Sequence, residues 1–338
     1  MRPALAILAA TTLLSGIAVP AAAQVNVVAS IKPVHSLVAG VMQGVGEPGL
    51  IVEGAGSPHT YALKPSQAAM LEKADVIFWV GHELEAFLEK PLETVGSGAK
   101  SVELVDAHDL VKLGFRDGGA FEKHKHGDDE GHEDEAGHDH GEKAGDTHGH
   151  DHEEKTAAGH EHEHGRFDAH IWLDPENAKA MVHAIEEALA AADPDNATTY
   201  KANAAEMMAR LDGLVGEVDK ELEPVKDKGF IVFHDAYQYF ETRFGLTATG
   251  SITVSPEVMP GAERVSEIRG KVKELGAACV FAEPQFEPRL VATVTEGTQA
   301  KSAVLDPLGS GLADGPDLYF QLIRTMATSF RDCLSAGS

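Results

Sequence analysis

Cysteine is almost absent: 338 residues hold two, Cys279 and Cys333. That excludes Cys-ligated metal clusters and iron–sulfur centres, which need several thiolates at close spacing, but it suits one disulfide. Basic residues are also scarce, 28 Lys and Arg against 54 Asp and Glu, so the formal charge is −26. A chain this acidic repels phosphate backbones, which sets nucleic acid aside as a partner, and it attracts cations. Beyond residue 23 no apolar run approaches the about 18 residues of a membrane-spanning helix, so no membrane insertion of the mature chain is expected. Common enzyme signatures are missing as well. There is no Walker Gly-Lys-Ser/Thr and no Gly-x-Ser-x-Gly, and His82-Glu83-Leu84-Glu85-Ala86 lacks the second His of the metalloprotease helix. The chain is read as a non-enzyme.

The first 23 residues set the compartment. Arg2 gives a short positive start, an apolar run follows from Ala4 to about Val19, and Ala21-Ala22-Ala23 fits a small-residue cleavage site. Secretion to the periplasm is predicted, with cleavage after about Ala23 and a soluble mature chain from Gln24. In an oxidising compartment Cys279 and Cys333 are expected to form a disulfide.

Histidine is plentiful where cysteine is not. Eleven of 18 histidines fall between residues 117 and 166: His124, His126, His132, His138, His140, His148, His150, His152, His160, His162 and His164. The same stretch carries 16 acidic and 5 basic residues, a local charge of −11. From His124 to Gly165 its only apolar side chains are alanines, too little to repay the entropy of ordering. A disordered insertion with auxiliary metal-binding capacity is predicted.

The remaining sequence alternates short apolar runs with helical patterns, which predicts an α/β fold of two lobes. Val25–Ala29, Leu50–Val52 and Val76–Val80 read as strands of the first lobe, and Phe230–Phe233, Ala278–Ala282 and Ala303–Leu305 as strands of the second. Pro175–Ala192 reads as a helix capped by Asp174, and Asp195–Leu222 as one long helix able to join the lobes. The expected organisation is a signal peptide over 1–23, a first lobe over 24–194 with the insertion, a linking helix over 195–222 and a second lobe over 223–338.

Four polar residues occupy matching places. Phe230–Phe233 runs directly into His234, and Ala303–Leu305 into Asp306. His59 lies in the loop after Leu50–Val52, and His170 stands just before the Pro175 helix. Residues past the carboxyl ends of strands in open α/β sheets line the binding crevice. Three imidazoles with one carboxylate would form a closed tetrahedral set suited to Zn²⁺. His35, His108 and His183 have no such context and are taken as ordinary side chains; His82 follows the strand Val76–Val80, a position that can border the cleft, and is read as a surface residue.

At these residues the chain resembles the metal-specific substrate-binding proteins of bacterial ABC importers, and among them the zinc-binding members. The matching stretches are Pro58-His-Thr-Tyr-Ala-Leu-Lys-Pro-Ser66, His170-Ile-Trp-Leu-Asp-Pro175, Phe233-His-Asp-Ala-Tyr-Gln-Tyr-Phe240, Phe281-Ala-Glu-Pro-Gln-Phe286 and Leu305-Asp-Pro-Leu-Gly309. They run the length of the mature chain. The resemblance implies two lobes around a rigid linking helix, with the metal held in the cleft by His59, His170 and His234. Some zinc members place a Glu before the first of these histidines where this chain has Pro58, which leaves Asp306 or a water as the fourth ligand. Manganese and iron relatives tend to carry a carboxylate where His234 stands, and imidazole in its place favours zinc. The implied function is capture of Zn²⁺ and its delivery to a membrane permease by a monomeric carrier. A periplasmic zinc chaperone is a further expected partner, meeting the His-rich segment. The alternatives are a metal buffer or chaperone and a manganese- or iron-binding relative.

Overall fold

The computed structural model describes residues 25–116, 121, 167–253, 260–274, 276–286 and 289–335. The predicted signal peptide and all eleven histidines of the insertion lie outside the described residues. The first lobe runs β1 (Val27–Ala29), α1 (Lys32–Val41), β2 (Gly49–Leu50), α2 (Pro65–Glu72), β3 (Val76–Trp79), α3 (His82–Glu85), α4 (Glu89–Thr94) and β4 (Lys100–Glu103). Its four strands are all parallel, in the order β2-β1-β3-β4. After the insertion come α5 (Pro175–Ala192) and α6 (Ala197–Leu222). The second lobe continues with β5 (Phe230–His234), α7 (Gln238–Phe244), β6 (Ala248–Thr253), α8 (Ala262–Glu274), β7 (Cys279–Ala282), α9 (Arg289–Thr295), β8 (Lys301–Val304) and α10 (Leu318–Ser335). Its sheet repeats the arrangement, all parallel in the order β6-β5-β7-β8.

Parallel strands are covered on both faces, and β5 shows how one strand serves two cores. Phe230 and Val232 join the large cluster that runs through both lobes, while Ile231 and Phe233 face a smaller one with Ile268, Val272 and Val294. Asp174 accepts a hydrogen bond from Glu176 N–H and Pro175 takes the first turn, which starts α5 where the sequence placed it. The 26 residues of α6 span about 39 Å at 1.5 Å each. Its buried stripe, Tyr200, Ala204, Met207, Leu211, Leu214, Val218 and Leu222, keeps the three-and-four spacing of one helix face. Exposed pairs such as Arg324–Glu217 at 2.8 Å run alongside α10 and, being solvated, add little beyond that packing. Cys279 and Cys333 are bonded, with Cα atoms 6.0 Å apart, and tie the end of α10 to the start of β7.

Candidate metal centre

Because the strands of each sheet are parallel, all their carboxyl ends lie on one edge. β5 ends on His234, Glu283 follows β7, Asp306 follows β8 by two residues, and the loop after β2 carries His59. His170 opens a single 3₁₀ turn, Ile171–Leu173, whose three side chains are wholly buried. Ligand nitrogens of His59, His170 and His234 all lie within 4.8 Å of one another. The rings surround a common point, with centroids 5.1 to 5.7 Å apart.

Two of the imidazoles have their protons assigned by neighbours. Asp168 Oδ1 sits 2.6 Å from His170 Nδ1, and Glu283 Oε1 sits 2.7 Å from His234 Nδ1. A carboxylate oxygen accepts, so both Nδ1 atoms donate and both Nε2 atoms keep a lone pair. Those two Nε2 atoms are 3.3 Å apart. Two lone pairs that close repel unless a cation lies between them. A tetrahedral zinc with bonds of about 2.0 Å sets its nitrogens about 3.3 Å apart, so the donor set fits this ion. Carboxylates behind ligating histidines fix the tautomer and raise ligand basicity.

The electrostatics differ among the three. Burial first, then the neighbouring His170 and His234 rings, hold His59 well below the ordinary histidine value. Burial alone would also lower His234, but the Glu283 carboxylate outweighs it and holds that imidazole above the ordinary value.

Asp306 does not join the converging group. Its Oδ1 accepts from Leu308 N, Gly309 N and Gln285 Nε2, and its Oδ2 from Ser310 N and Oγ. Those bonds fold the chain into a tight turn in which Gly309 takes φ +65°, a conformation open to glycine. The aspartate that the sequence offered as a fourth ligand is thus committed to its own loop. His82 is half-buried beside Glu83 and Glu103, and Glu85 is buried in the first lobe, accepting from Ser30 Oγ, Val80 N and Gly81 N. Burial pushes that carboxyl up to about 7. His35 bonds Pro48 O from inside the first lobe, and His183 stands exposed beside Glu186 and Glu187.

Several residues that build the site carried no assigned role in the sequence reading. Gln238 donates to Asp168 Oδ2 at 3.0 Å, and Tyr239 Oη donates to Asp168 O at 2.7 Å. Trp172 Nε1 donates to Pro307 O at 2.8 Å, and Arg243 pairs with Asp174 at 2.7 Å. The His170 turn is therefore gripped by the second lobe although α5 and α6 separate it in sequence from that lobe's strands. Arg116 completes the join by reaching both Asp235 and Glu241. An Asp two residues before a His, and a Glu at the end of a strand adjacent to the His234 strand, were the signals available for Asp168 and Glu283.

The fold and the site define a class: a two-lobed α/β protein with three imidazoles grouped so that they could hold a metal ion. Comparison with known proteins gives the family. The model of the family described as ZnuA, zinc-uptake complex component A, periplasmic, matches residues 27–333. A high-affinity zinc uptake system protein ZnuA of Brucella suis biovar 1 is 57% identical over 310 residues, 92% of each chain. The chain belongs to the ZnuA family. Among solved structures, a ZnuA crystal structure superposes with a TM-score of 0.70 at 22% identity, covering 92% of this chain and 99% of that one. A zinc-bound ZnuA lacking its residues 138–173 gives 0.69 at 22% identity, covering 92% and 98%. These two likenesses speak to the fold.

Proposed function

We propose that this chain captures Zn²⁺ in the cleft through His59, His170 and His234 and passes it to the membrane permease of an ABC importer. The observation that carries the reading is the pair of Nε2 lone pairs 3.3 Å apart, their protons held elsewhere by Asp168 and Glu283. Three neutral imidazoles favour zinc over harder ions, which prefer oxygen ligands. The name shared by the Brucella relative, high-affinity zinc uptake, supports the same substrate. The ion is cargo rather than a resident cofactor, and the protein is a carrier, not an enzyme. It works as a monomer in the periplasm, delivered there by a signal peptide cleaved after about Ala23.

The sequence organisation expected above is kept as part of this reading: lobes over 24–194 and 223–338, joined by 195–222. The eleven histidines between 117 and 166 serve as an auxiliary, weaker metal-binding tract, open to contact by a zinc chaperone. Imidazoles free of a preformed cleft must be gathered around each ion at an entropic cost, which is why they rank below the cleft. Calorimetric titration of the metal-free full chain tests the reading. One tight zinc followed by weaker equivalents is expected, and the tight phase alone should disappear when His59, His170 and His234 are all replaced by Ala. A tight phase that survives the triple substitution sinks it.

A further inference from the structure

A second cavity, of about 390 Å³, opens beside α1 and shares no lining residue with the metal centre. His35, Ala39, Glu47 and Pro48 line it from α1 and the loop that follows, and Asp314 and Pro316 from the segment between β8 and α10. Both lobes therefore contribute to its wall. Its size suits a small organic molecule rather than a lone ion.

His35 is the buried member, 9% exposed. Its Nε2 sits 3.0 Å from Pro48 O, which can only accept, so Nε2 carries the proton and Nδ1 the lone pair. That Nδ1 is buried without a hydrogen-bond partner. Burial holds the ring below the ordinary histidine value although the Asp314 and Glu47 charges push it up, so the imidazole is neutral near pH 7. A buried acceptor without a donor costs stability, and the cavity that His35 lines is where a donor can be supplied.

The charges decide which kind of donor. Glu47 and Asp314 are both exposed to solvent. Asp314 Oδ1 is paired with Lys32 Nζ at 3.1 Å, and Lys32 also donates to Leu312 O at 2.7 Å. Lys32 is thereby committed, and it offsets one of the two carboxylates, which leaves one negative charge over. Among the described residues, His35, Glu47 and Asp314 do not gather within reach of one metal ion as the three cleft histidines do. The cation that fits them is larger.

We propose that this cavity binds a small organic ammonium ion, its N–H groups directed to His35 Nδ1, Glu47 and Asp314 and its carbon body along Ala39, Pro48 and Pro316. A primary ammonium has three donors and one positive charge, which match three acceptors and the one charge left over. A neutral alcohol would leave that charge unanswered, and a carboxylate would add to it.

Titration of the metal-free full chain with hexylammonium, 1-hexanol and hexanoate tests this by saturation-transfer NMR, beside histidine ¹H–¹⁵N spectra. One hexylammonium per chain should bind saturably, at least tenfold more tightly than the other two probes. It should move the Nδ1 resonance of a ring protonated on Nε2, as His35 is; His170 and His234 carry their protons on Nδ1. A39L fills the cavity from a helix position without loss of helix propensity, and should bind hexylammonium at least tenfold more weakly. E47Q, on the surface, should weaken it about threefold, the worth of one exposed ion pair. Zinc competition at wild-type affinity shows that both variants are folded, and E47Q still decides if A39L is not. Hexanol bound as tightly as hexylammonium, no saturation at millimolar concentrations, or wild-type binding in either folded variant overturns the proposal. So does a response from Nδ1-protonated rings alone, which would put the probe in the metal centre.

Discussion

The three imidazoles that converge in the cleft are not held alike. His170 and His234 are buried, one at the mouth of a rigid 3₁₀ turn and one on the last residue of β5, each with a carboxylate on Nδ1. His59 is half-buried in the irregular loop between β2 and α2. The first pair belongs to one hydrogen-bonded body, because α7, which follows His234, also holds Asp168 through Gln238 and Tyr239. Two ligands thus form a fixed platform on the second lobe's side, and the third arrives from the first lobe. In such a division the platform sets where the ion sits, and the loop ligand governs how readily it leaves.

Removing a platform ligand should have the largest effect. His234→Ala is expected to raise the zinc Kd on the order of a thousandfold, since it deletes a bond and leaves Glu283 buried without its donor. His59→Ala should raise it less and act mainly on the dissociation rate, as a two-imidazole platform remains. Stopped-flow release into a chelator, beside equilibrium competition, separates the two. Equal losses in Kd and in rate for both variants would erase the distinction between platform and loop.

Next in size are the carboxylates. Asp168→Asn and Glu283→Gln keep the shape but offer Nδ1 an amide, and each should weaken zinc about 10- to 100-fold, the usual cost of losing a supporting partner. Competition titrations that show both variants at wild-type affinity would mean that the platform does not depend on its acids.

Much of this was legible in the sequence, and the gaps have physical reasons. His234 was readable because it ends an apolar strand, and the start of α5 because Asp174-Pro175 is a strong cap. Two strands went unread. β4 is Lys-Ser-Val-Glu, an edge strand with exposed polar residues, and β6 is Ala-Thr-Gly-Ser-Ile-Thr, buried yet poor in bulky side chains. Asp306 shows the limit of position alone: standing at a strand's carboxyl end does not say whether an oxygen faces the cleft or its own turn, and both its oxygens accept from that turn. The supporting network was unreadable for another reason. Arg116 and Asp235 lie 119 residues apart, and no local pattern joins them.

Acidity should sharpen the contrast within the site. Zinc needs a neutral Nε2, and His234 stands above the ordinary histidine value while His59 stands well below it. As pH falls, His234 is therefore the first of these two to take a proton, starting above about 6.5, and His59 stays neutral until far lower. Through that window the Kd should rise by about tenfold per pH unit, the slope of a single competing proton. Glu283→Gln should move the onset to lower pH, because the charge that raises His234 is gone. A slope of two protons per ion from the outset, measured by competition between pH 5 and 8, would mean that both rings titrate together.

The smallest expected effect comes from removing the His-rich tract, and it sets the cleft against the tract most directly. The tract leaves and rejoins the fold at a closed stem. Gly114 and Phe167 form an antiparallel bridge, Asp168 N donates to Leu113 O at 2.8 Å, and Leu113 N donates to Tyr239 Oη at 3.0 Å. Arg116 anchors the same stem to Asp235 and Glu241 and packs 4.3 Å from the Phe121 ring. Every one of these groups survives a deletion of residues 122–165, so Asp168 and His170 should keep their places. The tight zinc should then remain within about twofold of the full chain, because its ligands are preorganised by the stem and α7 rather than by the tract. What should disappear are the weaker equivalents in the titration. The rate of loading from dilute zinc should also fall modestly, as the local reservoir and its share of the negative charge go. Loss of the tight phase on this deletion would place the primary ligands in the tract and reverse the order of the two regions.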